Sequence, residues 1–206
     1  MSLVLYTNPM SRGRIARWML EETGQPFETK ILGYGPEMKT PEFLALNPMG
    51  KVPVLVHEGV VVTETAAIVA YLADAFPQTN LAPEPGSPLR GAYYRWLFFG
   101  AGPFEAAVTN NYLKVEIPPE KQGFVGYGSF TAVLDTLEAA VATGPYLLGD
   151  SFSAADVYIG AQIGFGLRFG SIEPRPAFHT YYERLSSRPA ALRAAAIDDA
   201  LLAPKA

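Results

Sequence analysis

The sequence of 206 residues contains no cysteine. Disulfide bonds and zinc sites built on thiolates are therefore excluded, and so is catalysis by a cysteine of the protein itself. No apolar run approaches the roughly 20 residues of a membrane span. The net charge of -4 provides no basic surface for nucleic acid. We expect a cytoplasmic protein without a membrane or nucleic-acid partner.

The composition and the spacing of prolines predict two domains. Hydrophobic residues make up 49% of the chain, which is enough for a globular core. Four prolines fall between Pro77 and Pro88, and no periodic apolar pattern crosses that stretch. Strand signals precede it and helical patterns follow it. We predict an α/β domain over residues 1–76, a linker over 77–88 and an all-helical domain over 89–206.

The first domain begins with an alternation of strand and helix. Leu3–Thr7 reads as a strand, a helix begins near Ser11 and ends at Gly24, and Phe27–Leu32 reads as a second strand. A right-handed crossover would make these two strands parallel. The further predicted elements are a short helix that begins at Pro41 with Thr40 as its cap, a hairpin of Val52–Val56 and Val60–Thr63, and a helix that starts at Glu64.

In the second domain the apolar residues follow helical spacing. A long helical region begins near Leu89 and is interrupted around Gly100–Pro103, where proline predicts a kink. A second helix runs from residue 121 or 126 to Ala142. Farther on, Ser153 and Asp156 have the spacing of a capping box, which we interpret as a structural helix start rather than a ligand site.

Two motifs resemble the glutathione site of the glutathione transferase superfamily. They are Asn47-Pro-Met-Gly-Lys-Val-Pro-Val-Leu-Val and, shortly after it, Glu64-Thr65-Ala66-Ala67-Ile68. The resemblance implies a thioredoxin-like domain followed by a helical domain, with glutathione as the co-substrate. It implies that Val52 and a cis Pro53 grip the cysteinyl part, that Glu64 and Thr65 bind the γ-glutamyl carboxylate, and that Lys51 approaches the glycyl carboxylate. The threonine stands where serine is commoner and keeps the hydroxyl.

The residue that activates the thiol of glutathione is expected near the first helix. Ser11 follows Pro9 in a Pro-x-Ser sequence that resembles serine-type members, and a hydroxyl there would stabilise a thiolate together with the helix dipole. The alternative for Ser11 is that it only caps the helix. Tyr6 is the second candidate, because tyrosine-type members carry their hydroxyl at the end of the first strand. The weaker candidates are Thr7 and Asn8, and the cations that could stabilise the anion are Arg12, Arg14 and Arg17.

The resemblance implies that a bound thiolate attacks a small hydrophobic electrophile, as in detoxification. Isomerase, dehalogenase or peroxidase reactions of the same thiolate remain open, and so does a non-enzymatic ligand carrier or scaffold protein. A homodimer is also implied. The electrophile pocket is expected between the domains, lined by Met10, Tyr34, Phe98, Phe99, Phe104 and Tyr112. No metal site is predicted, because His57 and His179 lack a second ligand at suitable spacing.

Overall fold

The computed structural model describes residues 2–203. The chain divides into two compact units, one formed by residues up to 79 together with residues from 187 onwards, the other by residues 80–186. The α-helices of the described range are α1 (Gly13–Thr23), α2 (Pro41–Leu46), α3 (Thr65–Ala75), α4 (Leu89–Phe99), α5 (Glu105–Tyr112), α6 (Phe130–Ala142), α7 (Ala154–Phe169), α8 (Pro176–Ser186) and α9 (Pro189–Leu202). Its strands are β1 (Leu3–Thr7), β2 (Glu28–Ile31), β3 (Val54–His57) and β4 (Val60–Val62).

The first unit is built on a four-stranded mixed sheet in the order β2-β1-β3-β4. β1 pairs parallel with β2 and antiparallel with β3, and β3 pairs antiparallel with β4. Alternate residues of β1 are buried, namely Leu3, Leu5 and Thr7, as expected for a strand with period two. The prediction of an α/β domain followed by a helical domain is confirmed.

Helices α1 and α2 show how local sequence sets the ends of elements. Thr40 accepts a hydrogen bond from the Phe43 backbone nitrogen at 3.3 Å, and Pro41 occupies the first turn of α2 as predicted. α1 begins at Gly13, two residues later than Ser11, and ends at Thr23. Its C-cap is Gly24, whose φ of 65° suits glycine.

The last helix, α9, groups with the first unit. The sequence had predicted that all residues after 88 belong to the helical domain. The physical reason is a buried ion pair between α1 and α9: Arg17 Nε lies 2.9 Å from Asp198 Oδ1, and the two side chains are only 3% and 1% exposed. Burial raises the pKa of Asp198, and the positive charge of Arg17 opposes that rise. The same segments are joined by Arg14 with Asp199, Arg188 with Glu22, and Arg193 with Glu21.

The second unit is helical. The predicted interruption near Pro103 is a π-helical stretch over Gly100–Phe104, which links α4 to α5. α6 begins at Phe130, later than either predicted start, because Gly128 has a φ of 67° and Ser129 caps the helix. Its hydroxyl accepts from the Ala132 backbone nitrogen at 3.1 Å. Within residues 2–203 no helix combines the length and apolar character that a bilayer crossing requires.

The start of α7 contains the predicted capping box. Asp156 is fully buried, and its carboxylate accepts four hydrogen bonds of 2.8–2.9 Å. The donors are the Leu147 and Ser153 backbone nitrogens, the Ser153 hydroxyl and the Tyr181 hydroxyl. Burial raises the pKa of Asp156, and the four donors oppose that rise.

Candidate active site

Strand register brings three predicted segments to one end of the sheet. Tyr6 of β1 pairs with Val54 of β3, so the Val52–Pro53 peptide lies beside the segment that leads from β1 into α1. Leu55 of β3 pairs with Val62, so β4 ends at the same edge and delivers the chain to α3 there. The start of α1, the proline loop and the start of α3 therefore meet at the edge where β1 ends.

Ser11 occupies the turn before α1 and is half-buried. Its hydroxyl donates to the Asn8 carbonyl oxygen at 2.7 Å and accepts from the Gly13 backbone nitrogen at 2.9 Å. The Asn8 carbonyl also accepts from the Ser11 backbone nitrogen at 2.9 Å. Since that carbonyl has a second donor, Ser11 can turn its hydrogen to a ligand without leaving the oxygen unpaired. Ser11 thus caps the turn and retains the capacity to donate.

Tyr6, the other hydroxyl candidate, is held on the opposite face of β1 from Thr7. Its ring packs against Phe43 with centroids 5.9 Å apart, and its hydroxyl lies 3.4 Å from Lys30 Nζ. This ring belongs to the small cluster of Met38, Phe43 and Val54. The position favours Ser11 over Tyr6 as the hydroxyl nearest to the start of α1.

The proline loop contains a cis peptide bond between Val52 and Pro53, as the resemblance implied. Asn47 is 4% exposed and organises this loop. Its amide donates to the Lys51 carbonyl at 2.8 Å, and its side-chain oxygen accepts from the Met49 backbone nitrogen at 3.1 Å. The Lys51 side chain remains exposed, as a carboxylate ligand requires.

Lys39 also supports the proline loop, although the sequence motifs did not predict a role for it. Its Nζ lies 3.1 Å from the Met49 carbonyl oxygen and 3.3 Å from that of Gly50. Gly50 has a φ of 59°, and a Cβ there would lie 2.4 Å from Lys39 Nζ. The sequence around Lys39 does not indicate which carbonyl groups the lysine will contact, because that contact depends on tertiary structure.

The start of α3 is open. Glu64 has the backbone angles φ 64° and ψ 119°, which are costly for a residue with a side chain, and it makes no side-chain capping bond. Thr65 is 9% exposed and begins the helix. The first-turn nitrogens therefore lack a side-chain cap, and the helix dipole favours an anion at this position.

Of the predicted cations, Arg14 and Arg17 are engaged with α9, as described above. Arg12 is exposed and stands at the cap position of α1. Partial burial raises the pKa of the Tyr34 hydroxyl, and the positive charge of Arg12 opposes that rise. Arg12 therefore lies within electrostatic reach of Tyr34.

The six residues predicted for the pocket differ in exposure. In the first unit Met10 is 64% exposed and Tyr34 61%. In the second unit Phe98 is 73% exposed and Tyr112 70%, whereas Phe104 is 2% exposed and belongs to the core. Phe99 is half-buried and makes an edge contact with Trp96. Their role in binding an electrophile stays a prediction.

The residues between 2 and 203 include no group of three potential metal ligands. His57 Nδ1 lies 2.9 Å from the Tyr71 hydroxyl, and the His57 ring packs against Phe76 with centroids 5.4 Å apart. The contacts of His57 are therefore those of a packed side chain. His179 lies on the exposed side of α8.

Comparisons with known proteins agree with this geometry. Residues 10–75 match the family described as Glutathione S-transferase, N-terminal domain, and residues 106–184 match Glutathione S-transferase, C-terminal domain. The chain is 32% identical over 168 residues to Glutathione S-transferase 1 of Dianthus caryophyllus, covering 76% of this chain and 74% of that relative. It is 30% identical over 191 residues to maleylacetoacetate isomerase of Pseudomonas aeruginosa, covering 87% of each.

Solved structures extend the similarity to nearly the whole chain. A glutathione transferase from Methylococcus capsulatus superposes with a TM-score of 0.80 at 30% identity, covering 96% of this chain and 99% of the other. A sphingomonad glutathione S-transferase complexed with glutathione gives 0.77 at 28% identity, covering 95% and 98%. The chain belongs to the glutathione S-transferase family.

Proposed function

We propose that this chain binds glutathione at the edge where β1 ends, and that the Ser11 hydroxyl holds the thiol as a thiolate that attacks a small hydrophobic electrophile. The observation that carries the proposal is the meeting of Ser11, the cis Pro53 loop and the open start of α3 at one end of the sheet. Glutathione bound in a solved relative supports it as the co-substrate.

Each part of glutathione then has a matching group. The cysteinyl backbone pairs with Val52 beside cis Pro53, and the γ-glutamyl carboxylate meets the start of α3 at Glu64 and Thr65. Lys51 provides a positive charge for the glycyl carboxylate. Arg12, exposed at the start of α1, adds a positive charge next to Ser11.

The chemistry needs the thiol pKa to fall from its usual value of roughly 8.5. Each unit of decrease requires about 1.4 kcal/mol of preferential stabilisation of the thiolate. Ser11 supplies a hydrogen bond that is stronger to the anion, and the start of α1 supplies a partial positive charge in the same direction. Once ionised and positioned, the sulfur is the nucleophile.

The electrophile is proposed to be apolar. Met10 adjoins Ser11 in the chain and is well exposed. Burial raises the pKa of the Tyr34 hydroxyl, and Arg12 is near enough for its positive charge to oppose that rise. Phe98 and Tyr112 of the second unit are exposed, and their part in binding an electrophile stays a prediction. The similarity to a maleylacetoacetate isomerase favours an isomerase reaction of the same thiolate as the second candidate. A homodimer and a cytoplasmic location stay predictions.

An ultraviolet difference titration of bound glutathione across pH tests the proposal, because thiolate absorbs where thiol does not. The wild-type protein, Ser11→Ala and Tyr6→Phe are compared. The wild-type thiol is expected to ionise well below its free pKa. Ser11→Ala should lose most of that shift and about a hundredfold in kcat/KM, the size of effect when a preorganised donor is removed. Tyr6→Phe is the matched control and should keep both.

The outcomes separate the alternatives. Glutathione that binds without a shift in its thiol pKa would indicate a ligand carrier, and absence of binding would favour a scaffold protein. A shift that survives in Ser11→Ala but disappears in Tyr6→Phe would transfer the role to Tyr6.

A further inference from the structure

The side chain of Thr7 places a buried hydroxyl at the end of β1, next to the candidate site. Thr7 is fully buried, and its Oγ1 has no hydrogen-bond partner among the residues that the structure describes. Buried hydroxyl groups are nearly always paired, because an unpaired one loses its hydrogen bonds to water without replacement. Valine has nearly the same shape and would fill this position without that cost. The unpaired hydroxyl therefore requires an explanation.

The position of this hydroxyl is defined by Gly13. A Cβ added to Gly13 would lie 1.8 Å from Thr7 Oγ1 and 2.9 Å from Ser11 Oγ. The two hydroxyl oxygens thus flank the same point, which is vacant only because residue 13 is glycine. Gly13 is also the residue whose backbone nitrogen donates to Ser11 Oγ at 2.9 Å. Thr7, Gly13 and Ser11 form one contiguous group beneath the start of α1.

We infer that Thr7 is a positioning residue for Ser11, an inference that rests on the proposed function of Ser11 as the donor to the glutathione thiolate. When Ser11 turns its hydrogen from the Asn8 carbonyl to the sulfur, Thr7 donates its own hydrogen to Ser11 Oγ. The hydroxyl at the end of β1 thereby gains the hydrogen-bond partner that it lacks among the described residues.

Counting of donors and acceptors supports this arrangement. A serine hydroxyl has one hydrogen to donate and two lone pairs that accept. In the structure, Ser11 Oγ donates to the Asn8 carbonyl and accepts from the Gly13 backbone nitrogen, and its second lone pair stays available. With the thiolate present, Ser11 donates to sulfur and accepts from both Gly13 and Thr7. A hydroxyl that accepts a second hydrogen bond becomes a stronger donor, because neighbouring hydrogen bonds polarise one another.

The test compares Thr7→Val with Thr7→Ser in the full-length protein. Thr7→Val removes the hydroxyl and keeps the shape, whereas Thr7→Ser keeps the hydroxyl. Thr7→Val is expected to raise the pKa of the bound glutathione thiol and to lower kcat/KM about three- to tenfold below that pKa, which is the range for one ordinary hydrogen bond. KM for glutathione should change little, since other residues bind its two carboxylates. Thr7→Ser should resemble the wild type.

Stability provides the readout that separates positioning from packing. The denaturant midpoint of Thr7→Val should equal or exceed that of the wild type, because an unpaired buried hydroxyl is removed. If Thr7→Val does not fold, Thr7→Ala supplies the same thiol titration. A Thr7 variant without the hydroxyl that keeps the wild-type thiol pKa would overturn this inference alone, provided that the wild type shows the shift and Ser11→Ala loses it. No shift in the wild type would overturn the proposed function and this inference together.

Discussion

The segments that lead into α1 and α7 each contain a serine, yet the two helix starts are built differently. At α7 the hydroxyl and backbone nitrogen of Ser153 both donate to Asp156, and the carboxylate is saturated by four donors and fully buried. At α1 Ser11 is half-buried, and its hydroxyl bonds to two backbone groups of its own turn. The first turn of α1 contains no acidic residue and its cap residue, Arg12, makes no side-chain capping bond.

The difference shows how serine can close one helix start, at α7, and leave another open to a ligand, as we propose for Ser11 at α1. A start closed by a carboxylate has no donor left for a ligand, so Asp156 neutralises the partial positive charge of α7 from within. A start that no carboxylate caps keeps that charge available, and α3 has the same property because the Glu64 side chain makes no capping bond. The anion that completes α1 and α3 is proposed to come from glutathione.

The strongest way to break the closed start is Asp156→Ala. Three buried donors and the part-buried Leu147 nitrogen lose their acceptor, so we expect the free energy of unfolding to fall by about 3 kcal/mol or more. Denaturant unfolding measures the change, and exposed Asp150→Ala is the matched control, with little change expected. The protein that remains folded should bind glutathione with an unchanged thiol pKa. An Asp156→Ala variant as stable as Asp150→Ala would refute the structural role of the box.

The close approach of Thr7 to Gly13 at the start of α1 is tested by Gly13→Ala. The new Cβ would lie 1.8 Å from Thr7 Oγ1, so we expect a loss of about 2 kcal/mol, typical of overpacking. Adding Thr7→Ala should recover more than half of that loss, because the clashing oxygen is removed. Gly91→Ala, at an exposed position of α4 with no atom within 4 Å, is the control and should be neutral or stabilising. Additive effects of the two substitutions would contradict the proposed contact.

A smaller loss of stability is expected when one donor is removed from the capping box of α7. Tyr181→Phe removes one donor to Asp156 and should cost about 1 kcal/mol at neutral pH. Burial and the charge of Asp156 raise the pKa of Tyr181 well above its usual value of 10.0. Above pH 10 the unfolded chain ionises this tyrosine while the folded protein keeps the proton, so wild-type stability falls as pH rises.

The Tyr181→Phe variant lacks that dependence, and its difference from the wild type should narrow above pH 10. Urea unfolding at several pH values measures the trend. Half-buried Tyr182→Phe serves as the control. A difference between wild type and Tyr181→Phe that stays constant to high pH would mean that Tyr181 ionises equally in both states.

Local sequence signals predicted the elements that depend on neighbouring residues in the chain. The Thr40 cap, the hairpin and the Ser153–Asp156 box are all present where short motifs placed them, and the cis Val52–Pro53 bond is present as the resemblance implied. The start of α6 was predicted too early, because the apolar stripe gave no sign that Ser129 would cap the helix. The resemblance to known glutathione transferases, rather than periodicity, supplied the roles of the site residues.

The sequence by itself determined the two-part fold, the motifs that resemble a glutathione site and the absence of a protein thiol. Only the tertiary structure decided that α9 joins the first unit through the buried pair of Arg17 and Asp198, and that the Tyr6 ring packs against Phe43. It alone revealed that the Thr7 hydroxyl has no hydrogen-bond partner among the described residues. The physical reason is that caps and turns form between neighbouring residues, whereas burial and pairing across long separations depend on how completed elements pack.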